Sequence, residues 1–505
     1  MDVDLIMAVD VIPMSFIETD PGDFYRQRAQ AVAVTGFIIL AFAVWLGLEA
    51  PRGIMSGTDE LLTAERTREM LMTEPWVVYY NFHRSFEKPP LQYWLTSLTL
   101  PRFQNRALAV RVWPLFYGIL SAITLAWLIS LVKPCDPWLI PLSIAILISA
   151  PLFSTEAAQG MLDVGLTFFT LLSIVFAELA RKKPAWWLAA ALACWLGSLQ
   201  KIPLPFVVWV LILIVRLTNR QERAILRNSV GWLIGSMVLA IVLMSIWPLL
   251  QLIKYQMPVW SLFHEEVVVW VGPTGLGRRP YFEIPIAMSL AGGPCGFLAL
   301  VALVVILLSR RPRPSRPVWE IAIVSLAVIA LFIVSNFRGV RYILPIQPCL
   351  CFLLALVFYW FLQRPPPIRS RAIVALVLLL TAGFIHSEIH IHSRRKDVAN
   401  EKVIAEKLGE LQQAGTEIVL VKTSDTGIDL LWDSFYLFHG NLRFPVTKLT
   451  TEVIQANPPK PPLIGACVVR DFPIVQKLYP NVRVALNRDQ FICWQVPADG
   501  NPTSR

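Results

Sequence analysis

Largely apolar blocks of roughly 18–22 residues recur along this chain, and no other feature limits its fold so tightly. A helix rises about 1.5 Å per residue, so about 20 residues cross the ~30 Å hydrocarbon core of a bilayer. Backbone polar groups in lipid must be satisfied within the chain, and continuous apolar runs do this as helices. The blocks fall near 31–48, 109–132, 137–152, 161–180, 185–199, 203–217, 230–252, 283–309, 318–336, 341–363 and 371–387. The expected fold is therefore all-α and polytopic, with about eleven transmembrane helices. Composition agrees: 55% of the 505 residues are hydrophobic and 16% charged, against roughly 45–50% and about 25% in soluble domains. That excludes a soluble enzyme. The first 30 residues are mixed and acidic, and the first block is long enough to stay as a span, so no cleaved signal peptide is expected.

The net charge of +10 comes from basic residues set between the blocks, where they orient spans and meet anionic lipid. No nucleic-acid partner is expected. Alternate connections on one side hold seventeen basic residues, among them Arg181, Lys182, Lys183, Arg216 and Arg316; the opposite short ones hold six. The positive-inside rule puts residues 1–30 in the cytoplasm and, with eleven spans, the C-terminus outside. Residues 31–390 form the membrane domain, with long outer connections at 49–108 and 253–282. From 391 to 505 the composition changes. Val398, Val403, Ile404, Leu408 and Leu411 recur at helical spacing, and 417–422, 465–470, 482–486 and 491–496 read as short strands. A small α/β domain on the outer face is expected, its simplest role a cap without chemistry. Cys349 and Cys351 are expected as buried thiols, whereas Cys467 and Cys493 could pair in an oxidising compartment.

Connections as long as 49–108 and 253–282 usually have a function. The first holds Thr58-Asp59-Glu60 and then Phe86-Glu87-Lys88-Pro89-Pro90-Leu91-Gln92-Tyr93-Trp94. Asp59 suits a helix start, with Thr58 as N-cap, and it equally suits an acid acting at the membrane surface. Asp163 opens the fourth span, where an ionisable residue is costly and a functional candidate; the bland alternative is a cap. By topology these acids share a face with Glu87, Lys88, Lys201, His264, Arg278, Arg279, Arg338 and Arg341. Lys201, Arg338 and Arg341 sit at span ends. Each alone could snorkel, and together they point to an anion site for a phosphate.

The acidic motif and the Phe86–Trp94 stretch resemble the GT-C glycosyltransferases of the bacterial protein-mannosyltransferase and lipid A aminoarabinose-transferase kind. The resemblance runs through Asp163, Lys201-Ile202-Pro203, the His264 loop and Arg338–Pro345, over roughly residues 31–362. The chain departs from that family at Leu61-Leu62, where Ala/Pro-Arg-Tyr is usual, and at Arg278-Arg279-Pro280. The resemblance implies a transferase moving one sugar from a polyprenyl-phosphate carrier to an envelope lipid, glycan or protein at the outer face of a bacterial inner membrane. It carries Asp59 over as general base, with Glu60 and Asp163 as further catalytic acids. Glu87, Lys88, Lys201, Arg278, Arg338 and Arg341 become substrate-binding residues. A divalent metal ion on Glu87 and His264 is the one cofactor it suggests; the alternative pairs Glu87 with Lys88 or an arginine. A flippase of lipid-linked sugars is the rival class, but it calls for mid-span charges and internal repeats, and the sequence has neither.

Overall fold

A computed structural model of the chain describes residues 21–256, 293–309, 314–334, 340–394, 398–422 and 433–498. His264, Arg278 and Arg338 lie outside the described residues, as does most of the 253–282 connection. The protein is mostly helical and divides into two compact units. The first comprises Met1–Glu49, Pro114–Ala158 and Leu162–His390; the second comprises Ala50–Trp113, Gln159–Met161 and Ile391–Arg505.

Among the described residues each apolar block carries helix over most of its described length. Among the described residues six helices are long and apolar enough to span: Gly22–Glu49, Arg106–Val132, Val230–Tyr255, Arg316–Ile333, Arg341–Leu362 and Pro366–His392. Counting one bent pair as a single span gives seven. Leu139–Ser149 and Pro151–Ala157 meet at 71°, because the residue before a proline is pushed out of the α region and Ala150 is extended (ψ 115°). The chain is a multi-pass membrane protein, with fewer full-length spans by this measure than the eleven apolar blocks suggested. Exposed apolar side chains cover Val230–Tyr255, Pro366–Arg394 and Pro21–Glu49, including Ile253, Leu378 and Phe37, as surfaces solvated by lipid do.

Two of the basic residues counted toward orientation sit in an ion network, Arg216 buried and Arg181 half-buried. Arg216 donates to Glu320, Glu178 and the carbonyl of Ala177. Arg181 donates to Glu222 and Glu320 and lies 3.1 Å from Glu178. Charges this deep persist only when matched and hydrogen-bonded, and here three glutamates answer two arginines, with Arg316 3.9 Å from Glu222.

The second unit is built around a five-stranded mixed sheet of β3 (Glu417–Lys422), β4 (Val446–Thr450), β5 (Leu463–Val468), β6 (Arg483–Arg488) and β7 (Phe491–Val496), after a hairpin of β1 (Tyr79–Tyr80) and β2 (His83–Arg84). The order is β4-β3-β5-β7-β6; β3 runs parallel to β4 and β5, and β7 antiparallel to β5 and β6. One sheet face shares its core with the connection after the first span. Met55, Leu61, Ala64 and Val110 pack there with Ile404, Leu408, Ile418, Leu420 and Phe435. The other face holds Val419, Val421, Phe472, Val475 and Trp494. Because strand side chains alternate, Cys467 falls in the second core and Cys493 in the first. Both thiols are free and buried. The pairing considered for them is therefore corrected: Cys467 faces Ile492 and Cys493 faces Ala466 in the ladder, with their side chains on opposite faces.

Candidate functional site

In the first unit the focus is Asp163 and Lys201. Asp163 is the first residue of the Asp163–Leu179 helix, with Leu162 as N-cap and no side-chain cap. Lys201 ends the Trp186–Gln200 helix at φ −157°, ψ −59°. Pro203, two residues on, cannot continue it. Lys201 Nζ lies 2.6 Å from Asp163 Oδ1, both side chains buried, and 5.1 Å from the ring of Tyr342. Arg341 Cζ is 5.8 Å from the same ring, which stacks on Phe332 at 5.7 Å. Two expected phosphate ligands therefore share one aromatic ring. Sequence reasoning missed Gly165 and Gln200. Gln200 Nε2 donates to the Leu162 carbonyl at 3.1 Å, and a Cβ on Gly165 would stand 2.4 Å from that nitrogen.

In the second unit the Thr58–Met72 helix carries most of the chemistry. Its N-cap is Gly57, without a side-chain cap, rather than Thr58; Thr58 is the first helical residue and Asp59 the second. Asp59 is half-buried, and its carbonyl accepts from Thr63 Oγ1 at 2.9 Å. Glu60 is buried, and both oxygens are engaged. Arg111 donates to them at 2.5 and 3.0 Å, and the Gly160 N–H reaches Oε1 at 3.0 Å. A Cβ at Gly160 would meet Val110 at 2.7 Å, so only glycine lets that N–H come so close. Arg111 also donates to the carbonyls of Ala50 and Arg52.

Nearly two turns on from Glu60, Arg66 donates to Tyr93 Oη at 3.1 Å and Glu87 Oε2 at 2.5 Å, and Lys88 Nζ lies 3.6 Å from Glu87 Oε1. Burial alone would raise the Glu87 pKa, but Arg66 and Lys88 hold it below the usual carboxylate value. Among the described residues no group of three or more His, Cys, Asp or Glu could hold a metal, and the expected pairing of Glu87 with His264 lies outside them. The structure thus draws Glu87, Lys88 and Tyr93 together and adds Arg66, which lies in no recognisable motif. Deeper in the same helix, Arg68 pairs with Glu65 at 2.6 Å and donates to the Leu442 carbonyl at 2.8 Å. Glu69 accepts from the Phe82 N–H at 2.8 Å. Burial, and then the neighbouring Glu65, push its carboxyl up to about 8.

The dolichyl-phosphate-mannose-protein mannosyltransferase family model matches residues 62–263. An undecaprenyl phosphate-alpha-4-amino-4-deoxy-L-arabinose arabinosyl transferase of Pseudomonas paraeruginosa is 27% identical over 361 residues, 68% of this chain and 63% of the relative. Its counterpart in Pseudomonas aeruginosa strain UCBPP-PA14 is 28% identical over 317 residues, 61% of this chain and 55% of the relative. The matches thus span less than two thirds of these relatives' length. A crystal structure of ArnT from Cupriavidus metallidurans bound to undecaprenyl phosphate superposes with a TM-score of 0.70 at 16% identity, covering 91% of this chain and 98% of that one. The chain is similar to the GT-C membrane glycosyltransferases of the aminoarabinose-transferase kind. A weaker likeness of fold extends to the oligosaccharyltransferase AglB of Archaeoglobus fulgidus, with a TM-score of 0.51, 14% identity and 77% of this chain covered.

Proposed function

We propose that this protein is a membrane glycosyltransferase that takes a single sugar from a polyprenyl-phosphate carrier. The observation that carries the reading is the agreement of a long alignment to undecaprenyl-phosphate aminoarabinose transferases with a fold that covers nearly all of one ArnT. The reaction is placed on the extracytoplasmic face of a bacterial inner membrane, with the sheet-bearing C-terminal residues on the same side. The acceptor is an envelope lipid or glycan, with protein hydroxyls as the second possibility.

Asp59 is assigned as the base that takes the proton from the acceptor, a contribution of about 10²–10⁴-fold. The acceptor oxygen bonds to the anomeric carbon, the bond from that carbon to the phosphate oxygen breaks, and polyprenyl phosphate leaves with inversion. The leaving phosphate gathers negative charge, which cations stabilise most in a poorly solvated site. Lys88, Lys201 and Arg341 are assigned to it. Asp163 orients Lys201, and Glu60 positions the start of the Thr58–Met72 helix through Arg111 instead of exchanging protons itself.

The test incubates purified wild type and Asp59→Asn with a panel of radiolabelled polyprenyl-phosphate sugars and a membrane-lipid extract, following free polyprenyl phosphate and the destination of the label. Release by wild type, and its loss in a variant that melts at the same temperature, is expected. Transbilayer movement of intact carrier without release would replace the enzyme by a transporter. Equal turnover by both proteins would remove Asp59 from its role.

A further inference from the structure

The Leu91–Thr99 helix is inside out. Gln92, Tyr93, Thr96 and Thr99 point inward and are at most 9% exposed, whereas Leu98 is 50% exposed and Leu91, Trp94 and Leu95 are half-buried. Positions 91, 94, 95 and 98 share one helix face, so an apolar stripe faces out over a polar one. The inward groups are used: Tyr93 Oη accepts from Arg66, Gln92 Nε2 donates to Thr96 Oγ1, and Thr99 Oγ1 donates to the Ala109 carbonyl at 2.6 Å. The stripe is extended by Trp76, 66% exposed, whose ring lies edge-on to Trp94 at 6.0 Å. Trp94 Nε1 donates to the Pro75 carbonyl. Leu71 and Met72, both 48% exposed, end the neighbouring helix, and Phe103 follows at 38%.

The bond from Thr99 to Ala109 fixes the level of this face. Ala109 lies in the first turn of the Arg106–Val132 span, whose 27 residues measure about 40 Å at 1.5 Å each. The hydrocarbon core takes about 30 Å, so the first turn of that span stands in the headgroup layer and the Leu91–Thr99 helix stands beside it. A half-wet apolar and tryptophan-rich face at that depth has the composition of an interfacial anchor. Its basic neighbours Arg84 and Arg102 are exposed and suit anionic headgroups.

We propose that Leu91, Trp94, Leu95, Leu98 and Trp76 form a membrane-docking face seated in the leaflet from which the 50–105 connection emerges, and that its occupant is bilayer lipid. The inference rests on the span and the helix face alone, independently of the transferase reading. Cys135 is the one exposed cysteine, so a nitroxide is placed at Leu98→Cys or Trp76→Cys in a Cys135→Ser background. Arg443→Cys, on the surface of the second unit, serves as the water-facing control. In proteoliposomes of phosphatidylethanolamine and phosphatidylglycerol, power saturation compares collisions with oxygen, which enters lipid, and with a nickel chelate, which does not. The oxygen-to-nickel ratio at 98 and 76 should exceed that at 443 several-fold. A ratio equal to the control's overturns the proposal, and so does protection from both probes, which would put a protein on the face. Two independent positions keep the test decisive if one variant fails to elute as the wild type does.

Discussion

Replacing Asp163 by Asn should strand a buried cation. At 2.6 Å from Lys201 Nζ and an effective dielectric of about 20, the Coulomb attraction is about 6 kcal/mol. Much of it is offset by the desolvation of both ions, each costing several kcal/mol. What remains visible is an asymmetry. Removing one partner leaves a charge in a site where Lys201 is 7% exposed and Asp163 2%, at a cost of about 3–5 kcal/mol; removing both leaves neutral side chains and costs far less. Asp163→Asn and Lys201→Met should therefore each destabilise by about 3–5 kcal/mol, and the double variant should recover about 2 kcal/mol or more of the sum. The assay is equilibrium unfolding of the purified protein in one detergent, followed by tryptophan fluorescence at neutral pH. Strict additivity, or a double variant no more stable than additivity allows, would refute the pair as the organising contact of that helix end. Catalytic loss alone, with all four proteins equally stable, would refute it too.

Other outcomes can be checked in the same preparation. The folded protein binds the Glu69 proton more tightly than the unfolded chain, so that contribution to stability is full below about pH 4.5 and is lost as the pH rises to about 8. Wild-type stability should fall by up to about 1.4 kcal/mol per pH unit in that window; Glu69→Gln should flatten the slope, and an unchanged slope would assign it to another group. Gly165→Ala drives a methyl into Gln200 and Tyr117 and should cost about 1–3 kcal/mol, read as a lower melting temperature. Reductant should leave the melting temperature unchanged, since Cys467 and Cys493 lie on opposite sheet faces.

What could be read from the residues was whatever repeats locally. The apolar blocks became helices because lipid length and backbone satisfaction leave little choice, and the strands expected at 417–422 and 491–496 coincide with β3 and β7. Strand β4 went unread because it lies at the sheet edge, where mixed exposure blurs the alternation of side chains. The Phe86–Trp94 stretch was legible as a unit, but its partner Arg66 was not: it sits twenty-one residues from Glu87 in a helix whose charges lie on every side. Glu60 shows the limit most clearly. Its acidity is visible in a motif, but its use depends on Arg111 and on the Gly160 N–H, a hundred residues away. Such contacts have no period and no fixed spacing.

The buried charges of the Thr58–Met72 helix also carry a schedule. Glu60 to Met70 are all buried except Leu62, and Arg68 reaches a carbonyl 374 residues further along the chain. At roughly 5–20 residues per second, a ribosome needs about 20–75 s to make that partner. Throughout that interval the helix has its ions but not the sheet residues that enclose them. A nascent chain halted before residue 440 would hold a threaded membrane domain and an unfinished first connection, one that a protease should cut and that completed synthesis should close.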